Sequence, residues 1–129
     1  MGSSLVYQTY KVAPSPPEKE KEGEAMHRIA FKMQLFRGYE QEYKKRHNEI
    51  WPELSALLKE SGISDYSLFL DETTNNLFGV LKAEDPKLLD NLPLHPVMQK
   101  WWEYMADIME TNPDNSPVQL PLEEVFYLP

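Results

Sequence analysis

The sequence predicts an α+β sandwich of ferredoxin-like topology, with one antiparallel sheet carrying its helices on one face. Three observations lead there. Ile29, Phe31, Met33 and Leu35 alternate with Ala30, Lys32 and Gln34, the period-two pattern of a half-buried strand. Apolar stripes at helical spacing follow over residues 40–60 and again after Pro96. With two further β-prone runs and a β-prone end, the order becomes strand, helix, strand, strand, helix, strand.

The chain divides at about residue 26. Residues 5–12 have strand-like composition and residues 13–24 are rich in Pro, Glu and Lys, so residues 1–26 read as an N-terminal extension with a linker, and residues 27–129 as one domain. Strand one starts at Arg28, and Gly38 turns the chain into a helical stretch over residues 40–60. Pro52 interrupts that stretch, because it lacks an N–H, crowds the carbonyl of Asn48 and biases Trp51 away from helical geometry. The helix therefore kinks or restarts there, and Gly62 stops it. Residues 63–71 and 77–83 read as strands two and three of a hairpin around a polar turn. Asp85 and Pro86 form a good helix start, soon broken by Pro93. A second start at His95 and Pro96 predicts a helix to Met109 or Glu110. Residues 111–117 are turn chemistry throughout, and residues 124–128 read as the last strand.

Phe36, Ser67, Phe69, Phe78, Val80 and Phe126 alternate with the residues assigned to the helix side, so the second face of the sheet is also substantially apolar. A patch of that size on a small domain is usually an interface. Two such sheets packed face to face make a symmetric homodimer.

Composition closes off several classes. The 129 residues include 21 acidic and 13 basic ones, a formal charge of -8, and no basic stripe, which argues against nucleic acid and anionic membrane as partners. The absence of Cys removes disulfides, thiolate metal sites and Cys nucleophiles, and suits a cytoplasmic protein. No apolar run approaches transmembrane length, and the N-terminus lacks the pattern of a signal peptide. His27, His47 and His95 are scattered without metal-ligand spacing. There is no nucleophile elbow and no Gly-rich phosphate loop.

Two stretches carry chemistry beyond periodicity. Tyr43, His47 and Trp51 follow at one-turn intervals, placing a phenol, an imidazole and an indole on one helical face beside a proline that frees backbone groups. The same residues fit an ordinary core stripe with Ile50 and Leu54, in which His47 is a hydrogen-bonded core residue. In the second helix Val97, Trp101, Tyr104, Met105 and Ile108 form the core stripe, while Met98, Trp102 and Met109 form a second ridge. Trp102 either packs at a dimer contact or offers its indole face to a ligand. A sugar suits such a face, since ring C–H groups lie against the apolar plane while polar residues take the hydroxyls.

Arg46, His47 and Asn48 with Ile50-Trp51-Pro52-Glu53-Leu54, then Trp101-Trp102 before Tyr104-Met105, then residues 112–117 and 124–129, closely resemble the L-rhamnose mutarotase family. The resemblance runs from about residue 27 to the end; the N-terminal extension has no counterpart in it. It implies a dimeric α/β barrel that interconverts the α and β anomers of L-rhamnose, a monosaccharide, without metal or cofactor. It further implies His47 as the proton donor and Tyr43, Tyr66, Trp101 and Trp102 as substrate-binding residues. A positioned acid or base contributes ~10²–10⁴-fold to such proton transfers. The residues leave the general base open among a carboxylate such as Asp114, a tyrosine and water. A non-catalytic sugar-binding or regulatory dimer would use the same aromatic cavity, and a cofactor-independent oxygenase would place an oxidisable aromatic substrate between the indoles.

Overall fold

A strand that buries alternate side chains needs a cover on one face, and the helices supply it here. In a computed structural model, which describes residues 26–129, strand β1 (His27–Gln34) buries Ile29, Phe31 and Met33 on one face. The elements that follow are α1 (Glu40–Asn48), α2 (Pro52–Glu60), β2 (Ile63–Asp71), β3 (Asn76–Ala83), a single turn α3 (Pro86–Leu89), a 3-10 turn (Leu92–Leu94), α4 (Pro96–Met105) and β4 (Leu120–Leu122). The sheet order is β2-β3-β1-β4 with every pair antiparallel, the ferredoxin-like arrangement expected from the sequence. The expected strand-like run at residues 5–12 and the linker after it lie outside the described residues. Among the described residues no helix is long and apolar enough to cross a membrane.

Between α1 and α2 the helix restarts rather than bends. Trp51 is extended, with φ −62° and ψ 133°, and Pro52 opens α2 at the position where its missing N–H costs nothing. Both ends of α1 are pinned. Near its start, buried Asn75 in the β2–β3 turn donates from Nδ2 to the Leu35 carbonyl (3.2 Å) and to the Glu40 carboxylate (3.0 Å). At its end, Arg46 donates to Asp107 (2.9 Å), to the Tyr104 carbonyl (2.7 Å) and to Glu42 (2.8 Å), with its guanidinium over the Tyr104 ring. These bonds tie the last turn of α1 to the C-terminal end of α4.

Two expected elements are corrected. Helix α4 ends at Met105, not at Met109 or Glu110, because the chain leaves it to pair with the end of β1: Met109 bridges Leu35, and Glu110 N–H donates to the Gln34 carbonyl at 3.0 Å. Met109 is thus a buried residue beside β1 and not part of a helical ridge. Tyr104 is half exposed, packed under Arg46 and against Trp51, so it leaves the core stripe. The last strand is Leu120–Leu122, not residues 124–128. In its register Leu122 faces Ala30, so residue 124 lies opposite Arg28 and the chain outruns β1 two residues later. Glu124 still pairs with Arg28 at 3.4 Å and Tyr127 lies under that guanidinium, but Val125 and Phe126 are 88% and 77% exposed. Phe126 is therefore not on the outer face of the sheet as a strand residue.

Candidate active site

The helices stand off the sheet enough to leave a cavity of about 1100 Å³ between them. Helix α1 delivers Tyr43 and His47 to it from successive turns, α4 delivers Trp101 and Trp102, and β2 delivers Tyr66. All five residues singled out in the sequence line this one space. Asp114 does not line it; its carboxylate accepts from the N–H and hydroxyl of Ser116 in its own turn, which holds it below the usual carboxylate range.

His47 is the best-defined group. Its Nδ1 lies 3.0 Å from the backbone carbonyl of Tyr43. A carbonyl only accepts, so Nδ1 carries the proton and Nε2 of the neutral ring keeps its lone pair. Burial pulls the imidazolium below its ordinary value, and the Tyr43 carbonyl offsets part of that shift. The Tyr43 ring stacks on the imidazole at 4.3 Å between centroids, and the Trp101 indole meets it edge-on at 5.4 Å. Trp101, only 6% exposed, is held from behind by Trp51 at 5.0 Å and by Tyr104 at 5.6 Å. Trp51 thus reaches the site only through Trp101, since the break before Pro52 takes it off the Tyr43–His47 face. Trp102 is half-buried and faces the cavity beside it.

Tyr66 owes its place to an irregularity. Ile63 pairs with Ala83 and Ser64 with Lys82, but Ser67 pairs with Val80, so β2 carries one extra residue at Asp65 and Tyr66. Asp65 adopts φ 48° in the left-handed region, and the bulge turns Tyr66 toward the helices. The sequence held a sign of this: Ile63 and the pair Leu68 and Leu70 all belong to the inner face, yet their spacing is out of phase by one. Burial pushes the Tyr66 phenol up to about 12, and burial together with the nearby Tyr66 pushes Tyr43 up further. Both phenols therefore stay protonated near neutral pH. Tyr66 retains 39% exposure because it borders open cavity rather than packed hydrocarbon.

The floor of the cavity is the helix-facing side of β1 and β3. Its residues Ile29, Phe31, Met33, Leu35, Leu77 and Leu81 are all apolar. Sequence reasoning gave Arg46 and this floor no role at the site. Among the described residues, no three His, Cys, Asp or Glu side chains are grouped to hold a metal ion.

Comparison with known proteins identifies the family and the fold. Residues 28–128 match the family model described as L-rhamnose mutarotase. An L-rhamnose mutarotase of Agrobacterium fabrum is 59% identical over 113 residues, covering 88% of this chain and 99% of that protein. One from Rhizobium johnstonii is 62% identical over 100 residues, covering 78% and 94%. Among solved structures, an L-rhamnose mutarotase from Formosa agariphila superposes with a TM-score of 0.75 at 52% identity, covering 80% of this chain and 99% of that one.

Proposed function

The chain belongs to the L-rhamnose mutarotase family, and from that premise we propose that it interconverts the α and β anomers of L-rhamnose by opening and reclosing the pyranose ring. The observation that carries this reading is the convergence of His47, Tyr43, Tyr66, Trp101 and Trp102 on one cavity large enough for a six-membered ring.

Ring opening removes a proton from the anomeric oxygen, breaks the bond from C1 to the ring oxygen, and places a proton on that ring oxygen. His47 takes the anomeric proton on Nε2, the position its hydrogen bond to Tyr43 leaves free. The Tyr66 phenol, protonated and unpartnered by any described side chain, donates to the ring oxygen. The open aldehyde then rotates about the bond from C1 to C2 and closes on its other face. On closure the C5 hydroxyl gives its proton back to the Tyr66 phenolate as its oxygen attacks C1, and the imidazolium returns its proton to the anomeric oxygen, which makes His47 the donor in that half of the cycle. Tyr43 orients the imidazole by stacking, and the two indoles wall the aldehyde from bulk water.

A homodimer fits the outer face of the sheet, where Phe36 and Phe69 are exposed and Phe78 and Val80 half-buried. The cytoplasm suits a chain with no Cys. Saturation-transfer NMR at the anomeric protons of L-rhamnose tests the activity. The wild-type protein accelerates exchange without consuming sugar, and His47→Asn lowers the rate by ~10²–10⁴-fold while remaining folded. Near-normal exchange in that variant would remove His47 from the proton transfer.

A further inference from the structure

Phe31 on β1 and Gly79 on β3 face each other across the sheet, on the side the helices cover. A Cβ at position 79 would lie 2.4 Å from both Cε1 and Cζ of Phe31 and 3.0 Å from Cε2. The ring tip therefore occupies the space any other residue at 79 would fill. Phe31 lies down across β3 instead of standing off the sheet, and its edge meets the Tyr66 ring with centroids 6.2 Å apart. Gly79 has no positive φ to explain it; its use is this close approach. The flattened ring lines the same cavity as His47 and Tyr66.

The floor made this way offers no polar side chain. The helix-facing residues of β1 and β3 are Ile29, Phe31, Met33, Leu77, Gly79, Leu81 and Ala83, and the backbone beneath them is committed to the ladder between the two strands. His47 and Tyr43 come from the helix side, and Tyr66 reaches in from the bulge at the sheet's edge. L-rhamnose carries a bare methyl group on C5, the one substituent of its ring carbons that needs no hydrogen bond. Resting on the mutarotase reading of this site, we propose that Phe31, laid flat over Gly79, forms a specificity floor that receives the C5 methyl of the sugar. A hydroxyl on that carbon, as in L-mannose, would lose water against the floor, where no side chain of β1 or β3 can bond to it. A sugar with only hydrogen at that position, L-lyxose, would leave the floor uncovered. Phe31 and Gly79 move no proton; they decide which pyranose sits with its anomeric centre at His47.

The test is anomer exchange of L-rhamnose, L-mannose and L-lyxose by the full chain, with kcat and KM for each. In the wild-type protein kcat/KM for L-rhamnose exceeds that for either of the others by ~10–100-fold. Gly79→Ala lifts the Phe31 ring into the cavity, so KM for L-rhamnose rises ~10-fold or more with a smaller change in kcat, while L-lyxose, which leaves that space empty, loses less. Adding Phe31→Leu to Gly79→Ala restores room and recovers much of the L-rhamnose KM. Phe31→Leu alone, which does not depend on Gly79→Ala folding, brings the L-rhamnose to L-lyxose ratio toward one. Equal losses on all three sugars in Gly79→Ala, or an unchanged ratio in Phe31→Leu, would overturn the floor while leaving the mutarotase standing. Acceleration of none of the three by the wild-type protein would overturn the reading of the site itself.

Discussion

The helix wall and the sheet wall of the cavity reach the same space by opposite means. On the helix side regular periodicity sets the geometry: Tyr43 and His47 one turn apart on α1, and Trp101 packed between His47 and Trp51. On the sheet side the useful features are exceptions to periodicity, an extra residue that turns Tyr66 inward and a glycine that lets Phe31 lie flat. Regular elements hold reactive groups at fixed distances, whereas irregular ones open the room the substrate needs.

That contrast breaks first at Trp101. Trp101→Ala removes a buried indole on which three aromatic rings rest, and costs about 3–5 kcal/mol in denaturant unfolding. A loss below 1 kcal/mol would show that the helix wall does not depend on this packing. On the sheet side, Asp65→Val and Asp65→Asn both discard the ion pair with Lys82, 3.3 Å away, so their difference isolates the backbone. The valine variant should be about 1–2 kcal/mol less stable than the asparagine one, because a β-branched residue resists the left-handed region that Asp65 occupies. Equal stabilities would mean that the bulge relaxes without a suitable residue. The smallest effect sharpens the comparison through pH. The folded chain resists protonating His47, whereas the unfolded chain protonates it near 6.5, so stability declines as pH falls from about 6.5 toward the depressed folded value. Unfolding curves at pH 6.5 and 5.5 should separate more for the wild-type protein than for His47→Asn; equal separation would place the imidazole in solvent.

What the sequence disclosed follows the same division. The spacing of Tyr43 and His47 survives intact in the structure, as do the strand at residues 29–35, the hairpin and the restart at Pro52, since each is a local pattern with a local cause. Trp101 and Trp102 could be placed on adjacent flanks of a helix for the same reason. The end of α4 could not, because the apolar stripe continues through Ile108 and Met109, and only the pairing of Met109 with Leu35 pulls those residues out of the helix. Leu120–Leu122 escaped notice because its central residue is proline, which mid-strand is tolerable at the sheet's edge or in a bulge. The role of Gly79 depends on which residue faces it, and no local pattern announces a cross-strand partner.

The placement of Pro121 has one more consequence. Among the described residues the sheet of four strands has two rims, each a template on which another chain could extend the ladder. Pro121 withholds a donor from the β4 rim, and the Asp65 bulge disrupts the β2 rim in the opposite margin. Among the described residues neither border offers a long uninterrupted row of bonding groups on which another strand could extend the ladder.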